Sequence, residues 1–309
     1  MILTVTLNPA VDKTYTSGEL ITGHVNRMRT VMSLAGGKGV NVTRVLRQYD
    51  LPVCATGFLG GYAGSFIEDD LKGRDVACRF IRVNGETRSN MNILADNGYV
   101  TEILEPGPEI KKEQLEKFLT QYDNLLSDCE LVALSGSVAR GVPEDIYTLL
   151  IEKARERGIK ALLDTSGESL RSAIGAKPYL IKPNLKELEY LMGHKLVNRE
   201  AAIEAALAIH EEGIAHVIVS MGKKGLLSVS DDGVYFAKAG KVTVLNTVGC
   251  GDCVVASYAM SILKNESIEE SLRKAAAISA SNATTLKSAD IPMDVAEELY
   301  DNITVEKLR

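Results

Sequence analysis

Asn246-Thr-Val-Gly-Cys-Gly-Asp-Cys253 admits two readings that lead to different folds. As a Cys-x-x-Cys pair it has the spacing of a thioredoxin-like redox site or half of a zinc site. As a glycine turn followed by an acid and then by Val254-Val-Ala-Ser-Tyr-Ala-Met-Ser-Ile-Leu263, it opens an apolar helix whose first amides are free to hold an anion. A zinc site needs two further ligands, and the nearest other Cys or His is His216, well upstream and in a strand pattern. A thioredoxin-type pair belongs near the start of its domain, and this one comes late in 309 residues. The second reading is preferred. Under it Gly249, Cys250 and Gly251 frame an anion pocket. Asp252 is then either a helix N-cap or a base placed to take the proton of an attacking hydroxyl, and the spacing is compatible with both.

The rest of the chain fits a helix entered from a turn at the edge of a sheet. From Cys54 onward, short β-branched runs alternate with longer segments of helical period, the pattern of βα units that feed a mostly parallel sheet. Strands are predicted at Val53–Phe58, Glu130–Leu134, Lys160–Asp164, Pro178–Lys182 and His216–Ser220. Helices are predicted at Tyr62–Lys72, Lys111–Leu126, Pro143–Arg157 and Arg199–Glu212, the last two stopped by Gly158 and Gly213. A doubly wound α/β sheet results. Residues 11–34 and 86–105 break the rhythm and read as antiparallel strands, the second pair turning at Asp96-Asn97-Gly98. They are expected to form a small sheet off the main one, a lid that excludes water from a transfer reaction. There is no linker and no repeat, so residues 1–309 are read as one domain.

Composition narrows the partners. Apolar residues make up 45% of the chain, and its net charge is −6 with both signs well mixed. No basic stripe exists to neutralise a nucleic-acid backbone, and no apolar run reaches the ~20 residues of a membrane helix. The start, Met1-Ile-Leu-Thr-Val-Thr-Leu-Asn8, alternates like a strand and has neither the basic leader nor the apolar run of a signal peptide. Cys54, Cys78, Cys129, Cys250 and Cys253 are odd in number and scattered. The expectation is a cytoplasmic protein with reduced thiols that acts on small molecules.

Four further stretches bear on chemistry. Ala35-Gly-Gly-Lys-Gly-Val-Asn-Val-Thr-Arg-Val-Leu46 is a glycine loop feeding a helix, with Lys38 and Asn41 directed at whatever the loop holds; it is neither a Walker A loop nor a dinucleotide fingerprint, and a plain surface turn also fits. In Ile181-Lys-Pro-Asn-Leu-Lys-Glu-Leu-Glu189 the Asn184 and Glu187 pair is a capping box, and the same pair at the carboxyl end of a strand can hold hydrated Mg²⁺ through water. Val219-Ser-Met-Gly-Lys-Lys-Gly-Leu226 is a turn that either meets nucleotide phosphates or joins two strands. The small residues of Ala275–Leu286 suit close approach of a flat group such as adenine, or tight helix packing.

Gly36-Gly-Lys-Gly-Val-Asn41, Asn184-x-x-Glu187 and Thr247-Val-Gly-x-Gly-Asp252, in that order, resemble the PfkB (ribokinase-like) carbohydrate kinase family. The likeness runs from Thr6-Leu-Asn-Pro-Ala-Val-Asp12 to the final helices. Within the family, Leu7-Asn-Pro-Ala-Val-Asp12, Val25-Asn-Arg27, Glu86-Thr-Arg88 and Glu102-Ile-Leu-Glu-Pro-Gly-Pro108 resemble the branch of 1-phosphofructokinases and tagatose-6-phosphate kinases.

The resemblance implies a three-layer α/β/α fold with a β-sheet lid, and ATP-dependent phosphorylation of a sugar hydroxyl with Mg²⁺ on the nucleotide. It makes Asp252 the base and Gly249 to Gly251 the anion hole. Asp12, Gly37, Lys38 and Asn41 are then the sugar ligands, and Lys38, Arg88 and Arg27 face the phosphate the sugar already carries. Lys182, Asn184, Ser220, Gly222, Gly225 and Asn282 line the nucleotide site, and Asn184 with Glu187 forms the magnesium-water site. The implied substrate is a ketohexose monophosphate, D-fructose 1-phosphate ahead of tagatose 6-phosphate; a silent sugar-phosphate sensor and a nucleoside or vitamin kinase are the contrasting readings. An exposed lid edge also suggests a homodimer. Cys250 stands where the family usually has Ala or Ser, and a thiol at a helix N-terminus is expected to carry thiolate character and to make activity oxidant-sensitive.

Overall fold

The computed structural model describes Met1 to Arg309. The chain opens with β1 (Ile2–Thr6), a β-branched run that lies third from one edge of a ten-stranded sheet. It then leaves to build β2 (Ala10–Ser17) and β3 (Thr30–Gly36) of a separate four-stranded sheet, and α1 (Lys38–Gln48) returns it to β4 (Val53–Leu59) beside β1. Next come α2 (Gly61–Gly73), the edge strand β5 (Ala77–Arg82), and β6 (Arg88–Ala95) with β7 (Val100–Leu104), which complete the small sheet. The chain crosses to the other side of β1 through α3 (Lys112–Leu126) and lays down β8 (Leu131–Ser135), α4 (Ile146–Glu156), β9 (Lys160–Asp164), α5 (Gly167–Ile174), β10 (Leu180–Ile181), α6 (Leu185–Met192), α7 (Arg199–Glu211) and β11 (His216–Ser220). After β12 (Leu226–Ser230) and β13 (Gly233–Ala237), it ends in α8 (Cys250–Lys264), α9 (Ile268–Asn282), α10 (Met293–Asn302) and β14 (Val305–Lys307).

The large sheet runs in the order β14-β13-β12-β11-β10-β9-β8-β1-β4-β5. All neighbours from β5 to β11 are parallel, and β12, β13 and β14 close one edge antiparallel. A parallel sheet needs cover on both faces, which is why its central strands are apolar at nearly every position. Successive residues feed opposite layers. Leu3, Val5, Val132, Leu134, Leu163, Val217 and Val219 join one core under α3 to α7, whereas Ile2, Leu131, Ala133, Leu162 and Ile218 join another under α1, α8, α9 and α10. The result is the expected three-layer α/β fold. No helix is long and apolar enough to cross a membrane.

Most predicted elements stand within a residue or two of their expected bounds. β10 is two residues instead of five, although the amides of Tyr179 and Lys182 on either side of it still donate to Ala161 O and Leu163 O of β9. α4 starts at Ile146, because the Ile146 amide bonds Pro143 O at 3.1 Å and makes Pro143-Glu-Asp145 a turn. In the small sheet β2 and β3 form one hairpin and β6 and β7 the other, turned at 96–98 with Gly98 in the left-handed region. The two hairpins meet through β2 and β6 in parallel register, Asp12 beside Asn90, so the sheet is mixed where antiparallel strands were expected.

One glycine is required by the strand pairing itself. Gly57 in β4 is paired with Thr6 at φ 144°, and a side chain there would overlap the Thr6 carbonyl. Gly57→Ala is predicted to destabilise the fold by about 1–3 kcal/mol, read as a lower denaturant midpoint with unchanged slope.

Candidate active site

The chain turns from one side of β1 to the other between β4 and β8, so the strand order reverses at β1 and β8. In an open α/β sheet a crevice forms there at the carboxyl ends of the strands. Asp164, the last residue of β9, lies in that crevice and is fully buried. Lys38, the first residue of α1, donates to its Oδ1 at 2.8 Å, and the Lys182 ammonium, just past β10, sits 3.4 Å from Oδ2 as an ion pair without an aligned hydrogen bond. Burial pushes the Asp164 carboxyl up, but the two ammoniums outweigh it and hold the group below the usual range. Burial likewise favours a neutral Lys38, and Asp164, Asp252 and Glu187 together overcome it, so Lys38 stays charged.

Asp252 is the second carboxylate of the crevice. Gly249 caps α8 at φ 86°, which allows the chain to turn sharply into the helix, and the amides of Gly251 and Asp252 bond no carbonyl. They point outward as free donors at the positive end of a fifteen-residue helix. The Lys182 ammonium lies over the same turn, 3.1 Å from where a Gly251 side chain would stand. Asp252 Oδ2 accepts from Asn41 Nδ2 at 2.8 Å. Burial and then the charge of Asp164 push its pKa up to about 7, opposed by Lys38, Asn41 and Lys182. A carboxylate with that pKa is poised to accept a proton near neutral pH.

The small sheet contributes the far side. Asp12 in β2 is buried, accepts from Asn90 Nδ2 at 2.9 Å, and packs so closely on Gly36 that a side chain there would overlap its carboxylate. Burial raises its pKa against the pull of Asn90, the Gly37 amide and Arg88. Gly37 caps α1 at φ 89°, and any side chain it carried would begin 3.0 Å from Pro9 Cα, so glycine lets the loop carry Lys38 and Asn41 straight from Asp12 to Asp252. Arg88 stands at this end too, its guanidinium bonded to Asn8 O at 3.0 and 3.2 Å and to Glu105 O at 3.1 Å. Arg27 does not join: it lies exposed in the loop between β2 and β3, without a hydrogen bond or ion pair.

On the opposite side Asn184 and Glu187 make the expected capping box of α6, each side chain bonding the other's amide at 2.8 to 2.9 Å. Glu187 also faces the crevice closely enough to act on Lys38. Ser220 pairs with Asn184 at the carboxyl end of β11, and Gly222 and Gly225 shape the turn into β12, where a side chain at Gly225 would overlap the Ala237 carbonyl. That turn joins two antiparallel strands, the second of the two purposes foreseen for it.

Two further expectations fail here. Asn282 is fully buried behind the Gly249 turn, its amide donating to Val248 O at 3.0 Å and Cys250 Sγ at 3.3 Å; it braces the turn and does not line an open site. The Cys250 thiol is raised, since burial outweighs its bonds to Asn282 and Ser279 O, and Cys253 is raised further inside the core. Neither has thiolate character, and both are free. The small residues of α9 serve the other purpose foreseen for them: Ala275, Ala276 and Ala277 are buried in the core shared with α8. The residues not foreseen are Asp164 and Asn90. An acid ending a predicted parallel strand and an asparagine on the inward face of a hairpin were the available signals.

These features have counterparts in known proteins. The pfkB family carbohydrate kinase profile matches residues 4–294. A Thermotoga maritima structure described as a possible 1-phosphofructokinase superposes with TM-score 0.91 at 28% identity over 100% of both chains. A Staphylococcus aureus structure described as a candidate phosphofructokinase is 32% identical, with TM-score 0.83 over 100% of this chain and 99% of the other. Escherichia coli phosphofructokinase-2 in complex with substrates and products gives 26% identity and TM-score 0.89 over 97% and 98%. With its three layers, its separate small sheet and a profile match over nearly its whole length, the chain belongs to the pfkB family of carbohydrate kinases.

Proposed function

We propose that the protein transfers the γ-phosphoryl group of ATP to a hydroxyl of a ketohexose monophosphate, with D-fructose 1-phosphate as acceptor and fructose 1,6-bisphosphate as product. The observation that carries this reading is Asp252: a buried carboxylate with pKa about 7, bonded to Asn41 on one side and adjoining two free amides on the other. In that reading Asp252 takes the proton of the attacking hydroxyl while the amides of Gly251 and Asp252 and the Lys182 ammonium receive the negative oxygens in transfer. Lys38 bridges toward the acceptor, and Asp12 with Asn90 binds its hydroxyls. Arg88 retains N–H groups on both terminal nitrogens for the phosphate already on the sugar. Ser220, Gly222 and Gly225 border the nucleotide.

Mg²⁺ fits this crevice only as a companion of the nucleotide. No three His, Cys, Asp or Glu side chains cluster to hold a metal by themselves, which suits an ion that keeps its waters and binds mostly to phosphates. Asn184 and Glu187 would hold it through water. When bound, it neutralises charge on the transferring phosphates.

Fructose 1-phosphate is preferred because the Thermotoga maritima relative described as a possible 1-phosphofructokinase aligns end to end. A panel of fructose 1-phosphate, fructose 6-phosphate, tagatose 6-phosphate and the free sugars, assayed by coupled ADP release, is expected to give the highest kcat/KM with fructose 1-phosphate and little turnover of free sugars. Highest efficiency with tagatose 6-phosphate would move the assignment to that substrate, and efficient use of a free sugar would remove Arg88 from its role.

Asp252→Asn is predicted to lower kcat by roughly 10²- to 10⁴-fold with acceptor binding nearly intact. Because the base must be ionised, kcat/KM of the wild type should be level above pH 7 and fall about tenfold per pH unit below it. A profile that stays level to pH 5, or a variant with wild-type turnover, would refute the base.

We also propose that two copies pair through the small sheet. Val31, Val100, Ile103 and Leu104 are exposed on its two edge strands, β3 and β7. Light scattering is expected to show a dimer that Ile103→Lys with Val31→Lys converts to monomer.

A further inference from the structure

Arg44 is the largest side chain in the protein with almost no solvent exposure, and none of the chemistry above uses it. Its Nη1 donates to Ala35 O at 3.2 Å and to Ser288 O at 3.0 Å. No carboxylate bonds it; Asp70, Asp290 and Asp12 act on it only through space. A buried charge left without an ionic partner is unfavourable, so its retention at this point in α1 calls for a function.

One turn further on, Gln48 reaches the same segment. Its Nε2 donates to Ala289 O at 2.9 Å, and its Oε1 accepts from the Ile291 amide at 2.8 Å. Two side chains of α1 therefore fasten three backbone groups of a four-residue strap, Ser288 to Ile291. The strap is held in an unfavourable shape, with the fully buried Ala289 in the left-handed region at φ 50°. It lies directly under the α8 turn: a side chain at Gly249 would come within 2.8 Å of the Ala289 amide.

Lys38, Asn41, Arg44 and Gln48 are spaced three, three and four residues apart, which sets them along one side of α1. The first two bond Asp164 and Asp252, and the last two bond the strap. Through Ala35 O, Arg44 also holds the end of β3, where the small sheet meets Gly36 and Asp12. We propose that Arg44 and Gln48 are positioning residues, a clamp that presses the 288–291 strap against Gly249. The clamp fixes the free amides of Gly251 and Asp252 relative to Lys38 and Asn41. The proposal rests on the reading of those amides as the pocket for the transferring phosphoryl group.

The test uses Arg44→Met, Arg44→Lys, Gln48→Leu and the Arg44→Met/Gln48→Leu pair, with kcat and KM on the acceptor the wild type turns over best, melting temperature, and amide hydrogen exchange. The clamp predicts that kcat of Arg44→Met falls about 10²-fold, as expected when donors are displaced by about 1 Å, while KM for the acceptor changes less than about threefold. Arg44→Lys should recover part of the loss. The double variant should be little worse than Arg44→Met, because both side chains hold one strap. Exchange should rise at 247–253 and 286–291 in Gln48→Leu. If Arg44→Met does not fold, Gln48→Leu at its half-buried site carries the test, with kcat lowered about tenfold. A folded Arg44→Met or Gln48→Leu with wild-type kcat, additive losses, or unchanged exchange at 247–253 overturns the clamp. No turnover of any acceptor by the wild type overturns the functional reading instead, and hydrogen exchange still decides the clamp.

Discussion

The site depends on one buried charge. Asp164 has no solvent exposure and would be neutral if it stood alone, so it remains a carboxylate only because Lys38 and Lys182 reach it from two different elements. The dependence is mutual. Lys38 and Lys182 are held where they are by the same carboxylate, one facing the Gly37 loop and the other lying over Gly251. The charge of Asp164 is also the second cause, after burial, that lifts the pKa of Asp252 to about 7. A single anion thus places two cations and adjusts one base.

The fold delivers these groups by strand ends and helix starts. Asp164, Lys182 and Ser220 follow one another across β9, β10 and β11 at the same edge of the sheet, so parallel pairing alone brings residues distant in sequence together. Two helices begin against that edge. α1 contributes Lys38 and Asn41 from its first turn, and α8 contributes two unbonded amides and Asp252 from its own. Glycines make both starts possible, since Gly37 and Gly249 are in conformations open to few other residues. The small sheet then supplies Asp12 from across the crevice.

Much of this was legible in local chemistry. The alternation of apolar runs and helical period specified the layers, and the turn at 246–253 gave the right helix start because four metal ligands could not be found for the competing reading. Asn184 and Glu187 were legible as a cap, which is present, and Glu187 also acts on Lys38 through space. What escaped was decided by neighbours distant in the chain. Cys250 at a helix N-terminus reads as an acidic thiol, yet Ser279 and Asn282 of α9 bury it and the desolvation wins. Asn282 is a site residue only by the family resemblance, and packing puts it behind the turn. Arg88, which the resemblance sets against the sugar's phosphate, is partly engaged by Asn8 and Glu105.

The sequence by itself determined the layered architecture, the two glycine-led helix starts and the placing of an acid in the first turn of α8, because periodicity, backbone freedom and capping act within a few residues of one another. Tertiary structure alone decided which charges meet. Asp164 became the centre of the site, the two hairpins joined in parallel, and Arg44 came to bridge β3 and the strap under Gly249. Each of those outcomes rests on burial and on contacts between residues tens to hundreds of positions apart, and electrostatic energies in a dry interior depend on such contacts far more than on residue type.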